Sequence, residues 1–184
     1  MAEEDSNTLF ETAPSDVLAE FHVLEATLES VARAPVPVFA DVCVVTALDR
    51  LGRPVSRASG DWDDPFMTSV FKDIGSYAGL FWSPLATWYV DPSTAESVLV
   101  PSVDETWILT HVADPAAYGL CMSIAPQSAI IVPLYCDETV QGVIMLWRTS
   151  AIRRYNVADL TFAEAVARRI SAKISASFGE LWCN

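Results

Sequence analysis

Ser128-Ala129-Ile130-Ile131-Val132-Pro133-Leu134-Tyr135, the polar step Cys136-Asp137-Glu138-Thr139, and Val140-Gln141-Gly142-Val143-Ile144-Met145-Leu146-Trp147-Arg148 carry the clearest structural signal in the chain. Two apolar runs of strand length joined by a polar turn read as an antiparallel hairpin buried on both faces. Gly142 marks a bulge or a close backbone approach in the second strand. After the loop Ile152-Arg153-Arg154-Tyr155, Asn156 is placed to cap a final helix, with Asp159 at N3 as a capping-box acid one methylene shorter than usual. Leu160, Ala163, Ala167, Ile170, Ile174, Ser177 and Leu181 then step by three and four along that helix as a heptad-like seam.

Upstream, residues 1–14 are polar and acidic and read as a disordered lead-in, leaving 15–184 as a single domain. Ser15 and Asp16 open a helix whose apolar positions Val17, Phe21, Leu24, Leu28 and Val31 form a first heptad-like seam. Ala34-Pro35-Val36-Pro37 stops it. Val38 to Leu48 is β-branched and apolar and predicts a long central strand. Asp49 to Arg53 turns it, and Pro54 to Ser59 returns antiparallel. Asp64-Pro65 can open a helix with Phe66, Val70, Ile74, Tyr77 and Leu80 at helical intervals. A short strand from Ser97 to Val100, a segment from Glu105 to His111 and a helix from Asp114 to about Ser123 lead back to the hairpin. The order predicts an α+β fold.

Composition narrows the function. The net charge of −13, from 24 acidic and 11 basic residues, disfavours binding to nucleic acid or to anionic membrane surfaces. Arg148, Arg153 and Arg154 form one basic cluster, and Arg168, Arg169 and Lys173 follow at the spacing of a solvated helix face. No apolar run reaches the ~18 residues of a membrane span, and the acidic N-terminus is unlike a secretory leader, so a cytoplasmic protein is expected. Cys43, Cys121, Cys136 and Cys183 show no metal-ligand spacing, so no metal site and no disulfide framework is expected; Cys136, in a polar turn, is expected to be the most exposed. No glycine-rich phosphate loop occurs.

Taken in order, these elements resemble the GAF domain family of bacterial signalling proteins. Ser128-Ala129-Ile130-Ile131-Val132-Pro133-Leu134 followed by Val140-x-Gly142-Val143-Ile144-x-Leu146 resembles the family's S-x-x-x-V-P-L hairpin with its G-x-L-x-L strand. Arg153-Arg154-Tyr155-x-x-x-Asp159-Leu160, with Ala163, Glu164, Ala167 and Arg168, resembles the start of its last helix. Phe39-Ala40-Asp41-Val42-Cys43-Val44-Val45 resembles its first strand. The resemblance implies a central antiparallel sheet of about six strands with helices on both faces and the N- and C-terminal helices packed together on one face. It further implies a small-molecule-sensing or regulatory signalling domain without catalysis; no H-box, ATPase or cyclase segment is visible, so no output domain of its own is expected.

The family's specific ligands leave little trace here. The N-K-x-F-x-D-E type signature of cyclic-nucleotide domains has no clear counterpart, and no Cys-His pair suits a bilin. The axial His of haem-binding relatives falls near Ser123, with Cys121 and Met122 beside it, while His111 lies too far upstream. The cofactor is therefore left unassigned. A pocket is expected among Phe66, Trp82, Trp88, Trp107, His111, Tyr118, Cys121 and Ser123, aromatics with a few polar groups. The two seams, through Phe21, Leu24, Leu28, Val31, Ala167, Ile170, Ile174 and Leu181, are expected to form the interface of a homodimer. A signalling partner acting in trans is the expected recipient of the output. The alternatives are a ligand-free dimerisation or interaction module and, further off, a free methionine-(R)-sulfoxide reductase using Cys121.

Overall fold

A computed structural model describes residues 15–48, 54–60, 65, 69–70, 92–112, 114–136 and 138–182. The disordered lead-in predicted for 1–14 and most of the helical stretch predicted after Asp64 lie outside these residues. Helix α1 (Ser15–Arg33) leads through turns to strands β1 (Val42–Leu48) and β2 (Pro54–Gly60). A short 3-10 turn at Pro92–Thr94 precedes β3 (Val98–Val100), α2 (Glu105–His111) and α3 (Pro115–Ile124). The hairpin β4 (Ser128–Cys136) and β5 (Thr139–Arg148) follows, and α4 (Val157–Trp182) closes the described chain. The strands form one antiparallel sheet in the order β2-β1-β5-β4-β3. The fold is α+β, as the order of elements implied, with five strands among the described residues where about six were expected.

Side chains alternate along each strand, so one set of strands supports two cores. Val44, Ile131, Val143 and Met145 pack on one face with Ile108 from α2 and Ala117, Cys121 and Ile124 from α3. Cys43, Val45, Ile130, Val132, Ile144 and Leu146 pack on the other with Leu24 and Leu28 from α1 and Ala163, Ala167 and Ile174 from α4. The terminal helices thus share one face. Arg57 of β2 reinforces it by donating to the Glu25 carboxylate on α1.

Gly142 supplies both features that its sequence position suggested. Leu134 pairs with Gly142 while Tyr135 pairs with Val140, so Gln141 is an extra residue on β5. That bulge shifts the parity of the strand and puts Val140 on the same face as Val143 and Met145. A Cβ on Gly142 would stand 2.4 Å from the Thr46 carbonyl oxygen of β1, too close for any other residue. Pro133, an unusual residue inside a sheet, sits beyond the three residues of β4 that pair with β3. It therefore removes no N–H that β3 could use.

Three expectations need correction. The first strand starts at Val42 rather than Val38, because Phe39 and Ala40 donate back to the Pro35 carbonyl and curl 34–39 into turns. It is second from the edge, and β5 holds the centre. Cys136, expected to be an exposed thiol outside any disulfide, is 2% exposed and disulfide-bonded. No helix among the described residues is long and apolar enough to cross a membrane.

The helix ends follow local chemistry. Asn156 Oδ1 accepts from the Ala158 and Asp159 amides, and Asp159 Oδ2 accepts from the Asn156 amide at 2.9 Å, completing the predicted capping box. Asp104 and Asp114 cap α2 and α3. Helix α3 ends on Ala125 in the left-handed region, φ 51° and ψ 55°, where glycine is the unstrained residue. The αL strain on alanine is about 1–2 kcal/mol, and the extra freedom of glycine in the unfolded chain takes back about 0.4–1 kcal/mol. Ala125→Gly should therefore raise stability by about 0.5 kcal/mol, read as a higher urea midpoint at unchanged slope.

Candidate ligand-binding site

The face of the sheet under α2 and α3 gathers most of the describable residues of the predicted pocket. On α2, Trp107 and His111 are one turn apart, and their rings stack at 4.4 Å with 19° between planes. His111 Nδ1 lies 2.8 Å from the Trp107 carbonyl oxygen. A carbonyl only accepts, so Nδ1 is the donor of this contact. Tyr118 of α3 donates to Glu105 Oε1 at 3.1 Å and ties the two helices together. That hydrogen bond and the carboxylate charge hold the phenol above its ordinary value. Trp107 and Tyr118 are half-buried against the core that contains Cys121.

The other predicted members separate. Ser123 is exposed, and its hydroxyl donates to the Gly119 carbonyl of its own helix at 3.0 Å. It is therefore turned away from the pocket. Phe66, Trp82 and Trp88 lie outside the described residues. Glu105, which no local pattern singled out, enters through Tyr118. An acid on one helix and a phenol on the next become partners only when the two helices pack.

Cys121 is 1% exposed, and burial pushes its thiol up to about 12. Burial raises Cys43, on the opposite face, still further. Nucleophilic sulfur chemistry needs the thiolate, so neither is set up as a nucleophile. Native protein at about pH 8 should leave both thiols unlabelled by a disulfide reagent over the time in which urea-unfolded protein reacts fully. Labelling of either at the unfolded rate would mean that its surroundings open readily. Among the described residues no group of His, Cys, Asp and Glu could hold a metal ion.

The basic cluster of the sequence has structural work. Arg148 covers the adjoining rings of Phe39 and Tyr155, its guanidinium carbon 5.5 and 4.1 Å from their centroids, and faces Asp159 at 3.5 Å. It also donates to the Phe39 and Arg154 carbonyls. Arg153 donates to the Val38 carbonyl and Arg154 to that of Pro101. Arg168, Arg169 and Lys173 are exposed on helix α4.

The dimer seams also redistribute. Leu24, Leu28, Ala167 and Ile174 are between 0% and 6% exposed in the protomer's own core, out of reach of a second copy. The seam pattern is real, and the partner of these four is the sheet. Val31 and Ile170 are half-buried beside a groove between α1 and α4. The side chains of Phe21 and Leu181 lie outside those described.

No family model matches the sequence, and neither does any curated protein. Solved structures do match. The photoproduct state of GAF3 from Slr1393 of Synechocystis sp. PCC6803 superposes with a TM-score of 0.55 at 12% identity, covering 85% of this chain and 94% of that one. A domain of a putative two-component sensor histidine kinase from Sinorhizobium meliloti 1021 gives 0.54 at 18% identity, over 86% and 92%. The GAF domain of a phosphoenolpyruvate-protein phosphotransferase from Coxiella burnetii gives 0.55 at 13%, over 90% and 92%. The hairpin, the flanking helices and these superpositions agree: the chain has the fold of bacterial GAF domains.

Proposed function

We propose that this chain is a non-catalytic regulatory domain that binds a small molecule under α2 and α3 and passes the effect through its terminal helices. The observation that carries this reading is the division of the sheet. Alternate side chains of β4 and β5 touch α2 and α3 on one face and α1 and α4 on the other. A ligand that reorders the first face presses on the same strands that seat the second. The Trp107–His111 stack and the Tyr118–Glu105 pair offer an apolar platform with a few polar groups, the usual make-up of a small-ligand site. The neighbours named as cyanobacteriochrome and sensor kinase domains support a signalling role. On the other face a groove of about 450 Å³, lined by Val23, Ala26, Val31, Ile170 and Lys173, is the surface on which a second copy would dock.

The test is native mass spectrometry of gently purified protein, paired with a thermal-shift screen of metabolites. A co-purifying small molecule, or a stabilising metabolite whose effect is lost in Trp107→Ala, supports the sensor. An empty protein that no metabolite stabilises, yet dimeric by light scattering, supports the ligand-free interaction module instead. Consumption of free methionine sulfoxide that disappears in Cys121→Ser would make it an enzyme.

A further inference from the structure

The terminal-helix face holds a second cavity, of about 330 Å³, on the side of the sheet away from α2 and α3. Its floor is Cys43, Val132, Ile144 and Leu146 from three adjacent strands, and Ala163 and Ile170 of α4 form one wall. The Cys43 thiol, held neutral by burial, adds no charge. At the liquid-water share of ~30 Å³ per molecule, the space equals roughly eleven waters, or a chain of about ten carbons. It begins where α1 ends, at Val31 and Ala34, so it continues the groove between the helices into the body of the domain.

Its mouth differs from its interior. Val38 is 83% exposed and Phe162 55%, and both line the cavity. Phe39 and Phe162 lie 5.0 Å apart and fix this lip. Arg153, itself exposed, places a guanidinium nitrogen 3.1 Å from the Val38 carbonyl oxygen, and its neighbour Ile152 is 96% exposed. A cation at the rim of an apolar cavity is complementary to an anionic head on an apolar tail.

We propose that this cavity binds a single-chain amphiphile of about ten carbons, its tail over Cys43 and its carboxylate at Arg153. The site stands independently of the ligand proposed under α2 and α3.

Isothermal titration of the full chain with decanoate, octanoate, hexadecanoate and decanol tests it. Saturable binding of one decanoate per chain is expected, stronger than that of either other acid. Ala34→Trp, at an exposed position lining the cavity, should abolish binding of decanoate and decanol while the thermal melt stays unchanged. Val166→Trp serves if the first variant fails to fold. Arg153→Glu should weaken decanoate about fivefold and leave decanol unchanged. The proposal fails if no compound binds saturably, or if binding survives both filling variants and is lost in Trp107→Ala, which would place the chain under α2. It also fails if light scattering gives a dimer that decanoate neither enters nor dissociates, since a second copy would then fill the cavity.

Discussion

Gly142→Ala should lower stability by about 3 kcal/mol, at the upper end of overpacking costs, and Tm by about 6–12 °C for a chain of this size. The reason is the nature of the obstacle. The new Cβ would meet the Thr46 carbonyl oxygen at 2.4 Å and the Ala47 Cα at 3.2 Å, both main-chain atoms of β1. A flexible side chain could swing away, but these atoms are fixed by the ladder in which Ala47 pairs with Gly142 and Leu48 with Pro54. Relief requires β1 and β5 to part at the centre of the sheet, and valine at the same place should prevent folding. Gly119→Ala is the matched control. Nothing lies within 4 Å of its added Cβ, and in the interior of α3 alanine should gain roughly 0.5–1 kcal/mol. Urea titrations of the two variants should move in opposite directions. A Gly142→Ala midpoint equal to that of the parent would show that the close approach is not there.

Arg148→Ala is the second large effect, expected at about 3 kcal/mol. Its side chain is 11% exposed and that of Asp159 19%, so the charge removed is largely shielded from water and its partner would be left without its cation. The ion pair at 3.5 Å is only part of the loss. Two carbonyl hydrogen bonds go, and so do the contacts with the Phe39 and Tyr155 rings. Tyr155 keeps its own bond to the Phe39 carbonyl and its amide bond to the buried Ser128 hydroxyl, so the chain should stay folded. Arg148→Lys should recover less than half, because an ammonium cannot lay a flat face on the Tyr155 ring while reaching both carbonyls. A double-mutant cycle with Asp159→Asn should show coupling of about 1 kcal/mol. An Arg148→Ala loss under about 1 kcal/mol would make this cluster incidental to the fold.

The two residues differ in how legible they are in the sequence. Gly142 was legible, since a glycine inside an otherwise β-branched run has few explanations and the structure uses two of them. Arg148 was not. A basic residue at a strand end looks the same in sequence whether it faces solvent or covers Tyr155 and a Phe39 distant along the chain. Ser123 and Glu105 exchanged places for a similar reason: helical spacing gives a residue's position on its own helix, while the packing of α2 on α3 chooses which side is inner. The same limit applies to Leu24, Leu28, Ala167 and Ile174. A step of three and four reports an apolar stripe, and the stripe of a dimer seam is indistinguishable from one that packs on a sheet.

By itself, the sequence determined the hairpin, the capping box at Asn156 and Asp159, the alternation that buries β4 and β5 on both faces, and hence the α+β class. These rest on interactions within a few residues, or on a period that every strand must obey. Tertiary structure alone decided that Leu24, Leu28, Ala167 and Ile174 are taken up by the sheet rather than left for a second copy, that Cys136 is buried, and that an apolar cavity opens over Cys43. Each of these depends on which surfaces meet across long stretches of chain, and burial is a property of that meeting rather than of either surface alone.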